Sequence, residues 1–336
     1  LYTLEVGRRE RHRSLLQDVH RTARLVDALP NLDFVMSLAT PSDEPPHRSY
    51  LLSVLAMMES CAKPIVCTAD GREDLEAMWD MAAIIRGSEE ALRRMPYLVH
   101  YAEPVSPLKH NPSSVEKLLL CADRELPVVY SPAPISGSTA PITIAGHVAQ
   151  GLAECFCGLI IHQLRREGAP FLMGMGPAVM DMATVECSYN APEYYLAYAA
   201  AMEMSHFYDL PSWGYAGTSD AQIPDGQAVL EAGTITLLSV LLGANLCHDV
   251  GYLDFGRMGS LEMAVTVDEV ISLLRRLTRG IPVTDEDLAI DVVRESAPVG
   301  HFLGHPHTRR HVRTTQWRPK LLSRLGWTRW QEGGGK

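Results

Sequence analysis

The sequence predicts an α/β protein of the (β/α)8 TIM-barrel class. Three observations carry that prediction. Short apolar strands recur every 31 to 44 residues, a helix-length segment fills each interval, and the strands end in polar or aromatic residues. Centred on Phe34, Ile65, Tyr97, Val128, Leu172, Ser212 and Leu246, the strands are separated by 31, 32, 31, 44, 40 and 34 residues. Strands alternating with helices at this spacing imply right-handed βαβ units and a parallel sheet. Seven such units approach the eight of a barrel whose chemistry sits where its strands end.

Taken in order, the first helix spans Leu15–Leu29, with Leu15, Leu16, Val19, Ala23, Val26 and Leu29 near helical spacing. A helix ahead of the first visible strand implies an earlier strand, so the N-terminal segment and first strand are expected upstream of Leu1. Further helices are predicted over Tyr50–Glu59, Arg72–Arg86, Ser113–Arg124, Ala140–Glu167, Pro192–Tyr208, Gly226–Leu242 and Ser260–Leu277. Ser113 with Glu116 reads as a capping box. Thr284-Asp285-Glu286-Asp287 reads as an acid-rich helix start that suits the positive end of the dipole. The barrel is assigned to residues 1–300. Residues 301–336 form a basic extension with Trp317, Trp327 and Trp330, expected to pack on the barrel.

Composition narrows the function classes. The chain has 336 residues, 46% of them apolar, which suffices for one large core. A net charge of −10 argues against nucleic-acid binding through phosphates. No apolar run approaches the roughly 20 residues of a membrane span, so no membrane partner is expected. Seven scattered cysteines favour free thiols in a reducing, cytoplasmic setting. A homo-oligomer is expected.

Barrel logic places function at the strand ends. Candidate catalytic residues there are Glu103, Asp220 and His248. Aromatic faces attract cations, above all a quaternary ammonium, which can donate no hydrogen bond. Tyr130, Trp213, Tyr215 and Phe255, with Asp249 supplying negative potential, are therefore the candidate substrate-binding set. The glycine-rich stretches fit no phosphate-loop or dinucleotide pattern. Gly174 and Gly251, with Ser131 and Tyr252, are instead expected where a bulky planar cofactor approaches the backbone. The histidines His301, His305, His307 and His311 have spacing that zinc could use. Gly304 and Pro306 break any common helical face, so a structural or surface role is expected and no metal is assigned to this chain.

Several long segments carry a family resemblance: Leu25–Val35, Ser131–Gly146, His248–Leu253, Gly259–Met263 and Gly300–Gly304. The chain resembles the trimethylamine:corrinoid methyltransferase family over nearly its whole length. The resemblance implies a (β/α)8 barrel that moves a methyl group from a methylamine to the cobalt of a corrinoid (cobalamin) carried by a separate small corrinoid protein. The trimethylamine enzymes of methanogens carry pyrrolysine in the barrel, whereas this chain contains only the twenty ordinary residue types. It therefore looks like the glycine-betaine type, which demethylates a quaternary amine.

A quaternary ammonium already has a neutral amine as leaving group, so no added electrophilic residue is needed. His248 is the candidate for a substrate carboxylate or the corrinoid edge. No arginine stands at a strand end to clamp the carboxylate of glycine betaine, which leaves choline-like and carnitine-like donors open. The alternatives are a trimethylamine-type methyltransferase and an inactive barrel fragment that binds amine or corrinoid protein without turnover.

Overall fold

The computed structural model describes residues 1–298 and 300–335; Val299 and Lys336, which fall within the two assigned segments, lie outside the described residues. The chain divides into two compact units, Leu1–Asp268 and Glu269–Lys336.

The first unit is built on seven parallel strands: β1 (Val35–Met36), β2 (Ile65–Cys67), β3 (Leu98–Ala102), β4 (Val128–Tyr130), β5 (Phe171–Gly174), β6 (Ser212–Tyr215) and β7 (Leu246–His248). Their order across the sheet is their order in the sequence. Register is regular: Ile65 pairs with Leu98, His100 with Val128, Tyr130 with Met173, and Tyr215 with His248. The sheet curls into a nearly closed barrel, since Phe34 beside β1 meets Trp213 of β6 with ring centroids 5.7 Å apart. Val66, Val129, Leu172 and Trp213 fill the interior, with Phe34, Met36, Val99, Tyr101 and Leu246 packed against them. The expected barrel class is what the chain adopts.

Helices α1 (Leu16–Ala28), α2 (Ser49–Ser60), α3 (Arg72–Arg86), α4 (Glu89–Arg94), α5 (Pro112–Arg124), α6 (Ile144–Arg165), α7 (Pro192–Phe207), α8 (Gly226–Leu241) and α9 (Leu261–Thr278) alternate with the strands. Local chemistry sets their ends. Lys63 donates to the carbonyls of Val26, Leu29 and Leu32 at 2.6, 2.6 and 2.7 Å, placing an ammonium where α1 leaves carbonyls unpaired. The expected cap of α5 moves two residues upstream. Asn111 accepts from the Ser114 amide at 2.8 Å, and Pro112 takes the first helical position, where a missing N–H costs nothing. The Ser113 hydroxyl donates instead to the Asp70 carbonyl at 2.9 Å.

The 22-residue α6 is long and apolar enough to cross a membrane by length and composition, which amends the expectation that no segment approaches a span. Its buried stripe nonetheless holds His147, Glu154 and His162 beside Val148 and Cys155, at the spacing of one helix face. Glu154 accepts from the Ser106 hydroxyl at 2.6 Å, the Leu108 amide at 2.9 Å and the Gln150 amide group at 2.9 Å. It thereby pins the loop after β3, which carries Glu103.

The short strands at the chain start and after β7 carry no sequence signal strong enough to expect. Tyr2–Leu4 pairs in parallel with Met258–Gly259 and antiparallel with Arg11–Arg13, and Tyr252–Leu253 completes a four-stranded sheet. This sheet leans on the end of β1, where the Tyr252 hydroxyl donates to the Ser37 carbonyl at 3.1 Å.

In the second unit Thr284 caps Asp285–Leu288 by accepting from the Asp287 amide at 3.1 Å, as its sequence anticipates. Trp317 donates to the Ser272 hydroxyl at 2.9 Å, and Glu269 accepts from the Lys320 and Leu321 amides. The His307 and His311 rings lie tilted with centroids 4.3 Å apart, and His311 lies 3.2 Å from Glu286.

Candidate active site at the barrel mouth

Side chains of a strand alternate between its two faces, and in a barrel one face is the interior. The odd-numbered ends of β3 and β6 put Tyr101, Trp213 and Tyr215 inside, and the end of β7 adds His248. Their rings converge. His248 lies 4.7 Å from Trp213, 4.7 Å from Tyr215 and 5.5 Å from Tyr101, while Tyr101 and Trp213 are 5.8 Å apart. Tyr215 shares a hydrogen bond of 3.2 Å with Ser131 at the end of β4. Tyr189 and Tyr194 close the side toward α7, with Tyr194 edge-on to Tyr215 at 5.9 Å.

Two carboxylates border these rings. Tyr101 donates a hydrogen bond to Glu103. Asp249 stands 2.8 Å from His248 Nδ1, a distance suited to an ion pair although not aimed as a hydrogen bond. Asp249 holds φ +74°, a left-handed conformation that few non-glycine residues adopt and that concentrates at functional sites. His248 is 7% exposed, and its Nε2 has no hydrogen-bond partner. An unpaired buried ring nitrogen is costly unless a ligand completes it.

Electrostatics agree with this geometry. Burial raises the Tyr101 and Tyr215 hydroxyls well above the ordinary phenol range, and the nearby negative charges of Glu103 and Asp249 raise both further. Burial also raises the Glu103 carboxyl, opposed by the Tyr101 hydrogen bond. Glu103 presents open surface to solvent, so water tempers that rise. The carboxylates of Glu103 and Asp249 act on Tyr101, Tyr189 and Tyr215, and that of Asp249 acts on Tyr252.

Of the residues expected from sequence, Glu103, Ser131, Trp213, Tyr215, His248, Asp249 and Tyr252 gather at or beside the mouth. Others are placed elsewhere, each for a physical reason. Tyr130 points outward from β4 into the helical layer, stacked on His110 with its hydroxyl 2.7 Å from Nδ1. Asp220 organises the loop before α7, accepting from the Ser188 hydroxyl at 2.5 Å and the Tyr189 amide at 3.1 Å. Phe255 sits in the tight turn after Leu253 with the Arg257 guanidinium over its ring.

The two glycines offer no cofactor cradle. A Cβ on Gly174 would meet Ser131 at 2.6 Å, and one on Gly251, at φ +104°, would meet Leu38 at 2.9 Å. Both spaces are already filled by the protein. Sequence reasoning missed Tyr189 and Tyr194. Tyr194 lies in the first turn of α7 and Tyr189 just before it, neither at a barrel-strand end, and only the Pro192 helix start marks their neighbourhood.

The fold and this aromatic, carboxylate-bordered mouth define a (β/α) barrel of enzyme type, with its functional groups at the C-terminal ends of the strands. The chain matches the family model described as trimethylamine methyltransferase (MTTB) over residues 3–336, and it belongs to that family. It is 30% identical over 328 residues to the trimethylamine methyltransferase MttB of Desulfitobacterium hafniense (strain DSM 10664 / DCB-2), covering 98% of this chain and 66% of that protein. It is 28% identical over 332 residues to the glycine betaine methyltransferase of Desulfitobacterium hafniense (strain Y51), covering 98% of this chain and 69% of that one. The chain thus spans about two thirds of the length of these relatives. Among solved structures, the Methanosarcina barkeri monomethylamine methyltransferase (MtmB) matches with a TM-score of 0.52 at 13% identity, over 79% of this chain and 59% of that one, a likeness of fold.

Proposed function

We propose that this chain forms the barrel of a methyltransferase that takes a methyl group from a quaternary amine, with a partner corrinoid protein as acceptor. The observation that carries the reading is the mouth itself. Tyr101, Trp213 and Tyr215 surround His248, and the carboxylates of Glu103 and Asp249 border them and act on the tyrosines. Aromatic faces and carboxylates together favour a cation that cannot be recognised by donated hydrogen bonds. Membership of a methyltransferase family and the likeness to a glycine betaine methyltransferase support the same class.

The corrinoid fits as a group brought to the mouth rather than one held in a glycine cradle, because the spaces beside Gly174 and Gly251 are occupied while His248 Nε2 is unpaired. A reduced corrinoid supplies the nucleophile that receives the methyl group. The chain's own residues bind and align. Tyr101 and Tyr215 face the ammonium above Trp213, which packs in the barrel core beneath them, and Glu103 and Asp249 keep the local potential negative, Asp249 beside the His248 ring. His248, whose buried ring nitrogens lack hydrogen-bond partners, is the residue proposed to meet a substrate polar end or the corrinoid edge. The two carboxylates disfavour a third beside them, so a choline-like donor suits the mouth better than glycine betaine. The seven free cysteines support a cytoplasmic setting, and a homo-oligomer is proposed with it.

The test mixes the full protein with cob(I)alamin and a panel of quaternary amines and follows the methyl-Co(III) spectrum. Methylation by at least one quaternary amine is expected. Methylation by trimethylamine alone would overturn the quaternary assignment in favour of the trimethylamine type. Silence with every amine would favour the non-catalytic binding alternative.

A further inference from the structure

We propose that a second site, a cavity of about 500 Å³ on the four-stranded sheet, binds a small polyanion such as a phosphate ester or a tricarboxylate through Arg9, Arg11 and Arg257. Three guanidiniums line it against one carboxylate, Asp254, in a chain whose net charge is −10. Two of the three are held in place. Arg11 donates to Asp254 at 2.8 Å and lies over the Tyr2 ring at 4.2 Å. Arg257 donates to the other Asp254 oxygen at 3.2 Å and lies over Phe255 at 5.1 Å.

One buried carboxylate thus holds two planar forks, and stacking on an aromatic face reduces the freedom each would lose on binding an anion. Glu186 reaches Arg257 at 3.1 Å without lining the cavity. Arg9 is different, since it pairs with no acceptor among the described residues and is free to close on a ligand. Gln222 adds a neutral polar group, while Leu4, Ile223 and Met258 give the cavity an apolar floor. Guanidinium forks match phosphate and carboxylate geometry, and the apolar floor suits a ligand with a carbon body. The site lies on a sheet separate from the aromatic mouth and is opposite to it in charge.

Titration calorimetry on the full protein at low ionic strength tests the proposal, with pyrophosphate, citrate and a hexaglutamate peptide as probes. Saturable binding of pyrophosphate or citrate is expected, weakened about tenfold by Arg9→Gln and again by Arg257→Gln, since each removes a charge-assisted contact. It should also weaken as salt is added and be unchanged by Lys109→Gln, a cation outside the cavity. Arg9 has no structural partner, so Arg9→Gln should keep the native melting temperature and remain interpretable if Arg257→Gln does not fold. Absence of saturable binding, or equal binding by Arg9→Gln, overturns the site. Binding of hexaglutamate alone overturns the small-ligand assignment and makes the cavity a protein-docking surface.

Discussion

The inner and outer faces of the barrel sheet carry similar residues with opposite consequences. Tyr215 on β6 and Tyr130 on β4 are both buried tyrosines at strand ends. Tyr215 turns inward to Ser131 and His248, whereas Tyr130 turns outward to His110 and packs so closely on α6 that a Cβ on Gly158 would lie 2.3 Å from its ring. The same holds for histidine. His248 faces the mouth, while His100 on β3 is fully buried among the helices with neither nitrogen hydrogen-bonded. In a strand, one residue of register decides between chemistry and packing. Residue type alone does not.

Substitutions can break or sharpen this contrast. The largest effect is expected on the inner face, where Trp213→Ala should cost about 3–5 kcal/mol of stability by leaving a cavity in the barrel core, read by chemical denaturation. His248→Asn should leave stability near the parent while lowering kcat/KM for methyl transfer roughly tenfold to a hundredfold, the worth of one hydrogen bond involving a charged group. An unchanged kcat/KM would remove His248 from the site.

Glu103→Gln should raise KM for a quaternary amine about three- to tenfold, by loss of one nearby negative charge. In the parent the same loss should appear on acidification. The Glu103 carboxyl is raised, so its charge and the cation affinity it supports fade at a higher pH than for an ordinary carboxylate. On the outer face, Tyr130→Phe should cost only about 1 kcal/mol, through the lost contact with His110, and leave KM unchanged. A raised KM would place Tyr130 in the mouth after all.

The smallest effect at neutral pH is expected at His100, whose pKa burial lowers to about 3. Its folded form resists protonation, so the unfolded chain takes up a proton first as pH drops below the ordinary value of 6.5. Stability from this residue is therefore present above 6.5 and lost progressively toward 3. His100→Leu should flatten that acid limb in melting curves collected across the interval.

The regular spacing of apolar strands was enough to read the barrel, because alternating strands and helices at that interval have one common way to bury both faces. The helix bounds followed closely, α3 matching Arg72–Arg86 at both ends. Caps were less legible. Ser113 looked like the cap of α5 until Pro112 left Asn111 as the better one. Glu103, Trp213, Tyr215, His248 and Asp249 could be named because strand ends are where barrels place function.

Tyr130 and Asp220 could not be sorted from them by the same rule. Tyr130 ends β4 and Asp220 lies in the loop after β6, yet one faces helices and the other accepts the hydrogen bonds of a neighbouring loop. Tyr189 and Tyr194 reach the mouth from outside the barrel strands, and the arginine cavity joins segments more than two hundred residues apart. Local pattern determined which elements form, since burial periodicity and capping act over a few residues. The tertiary structure decided which side chains share a space, because strand register and loop closure are settled only when distant segments pack.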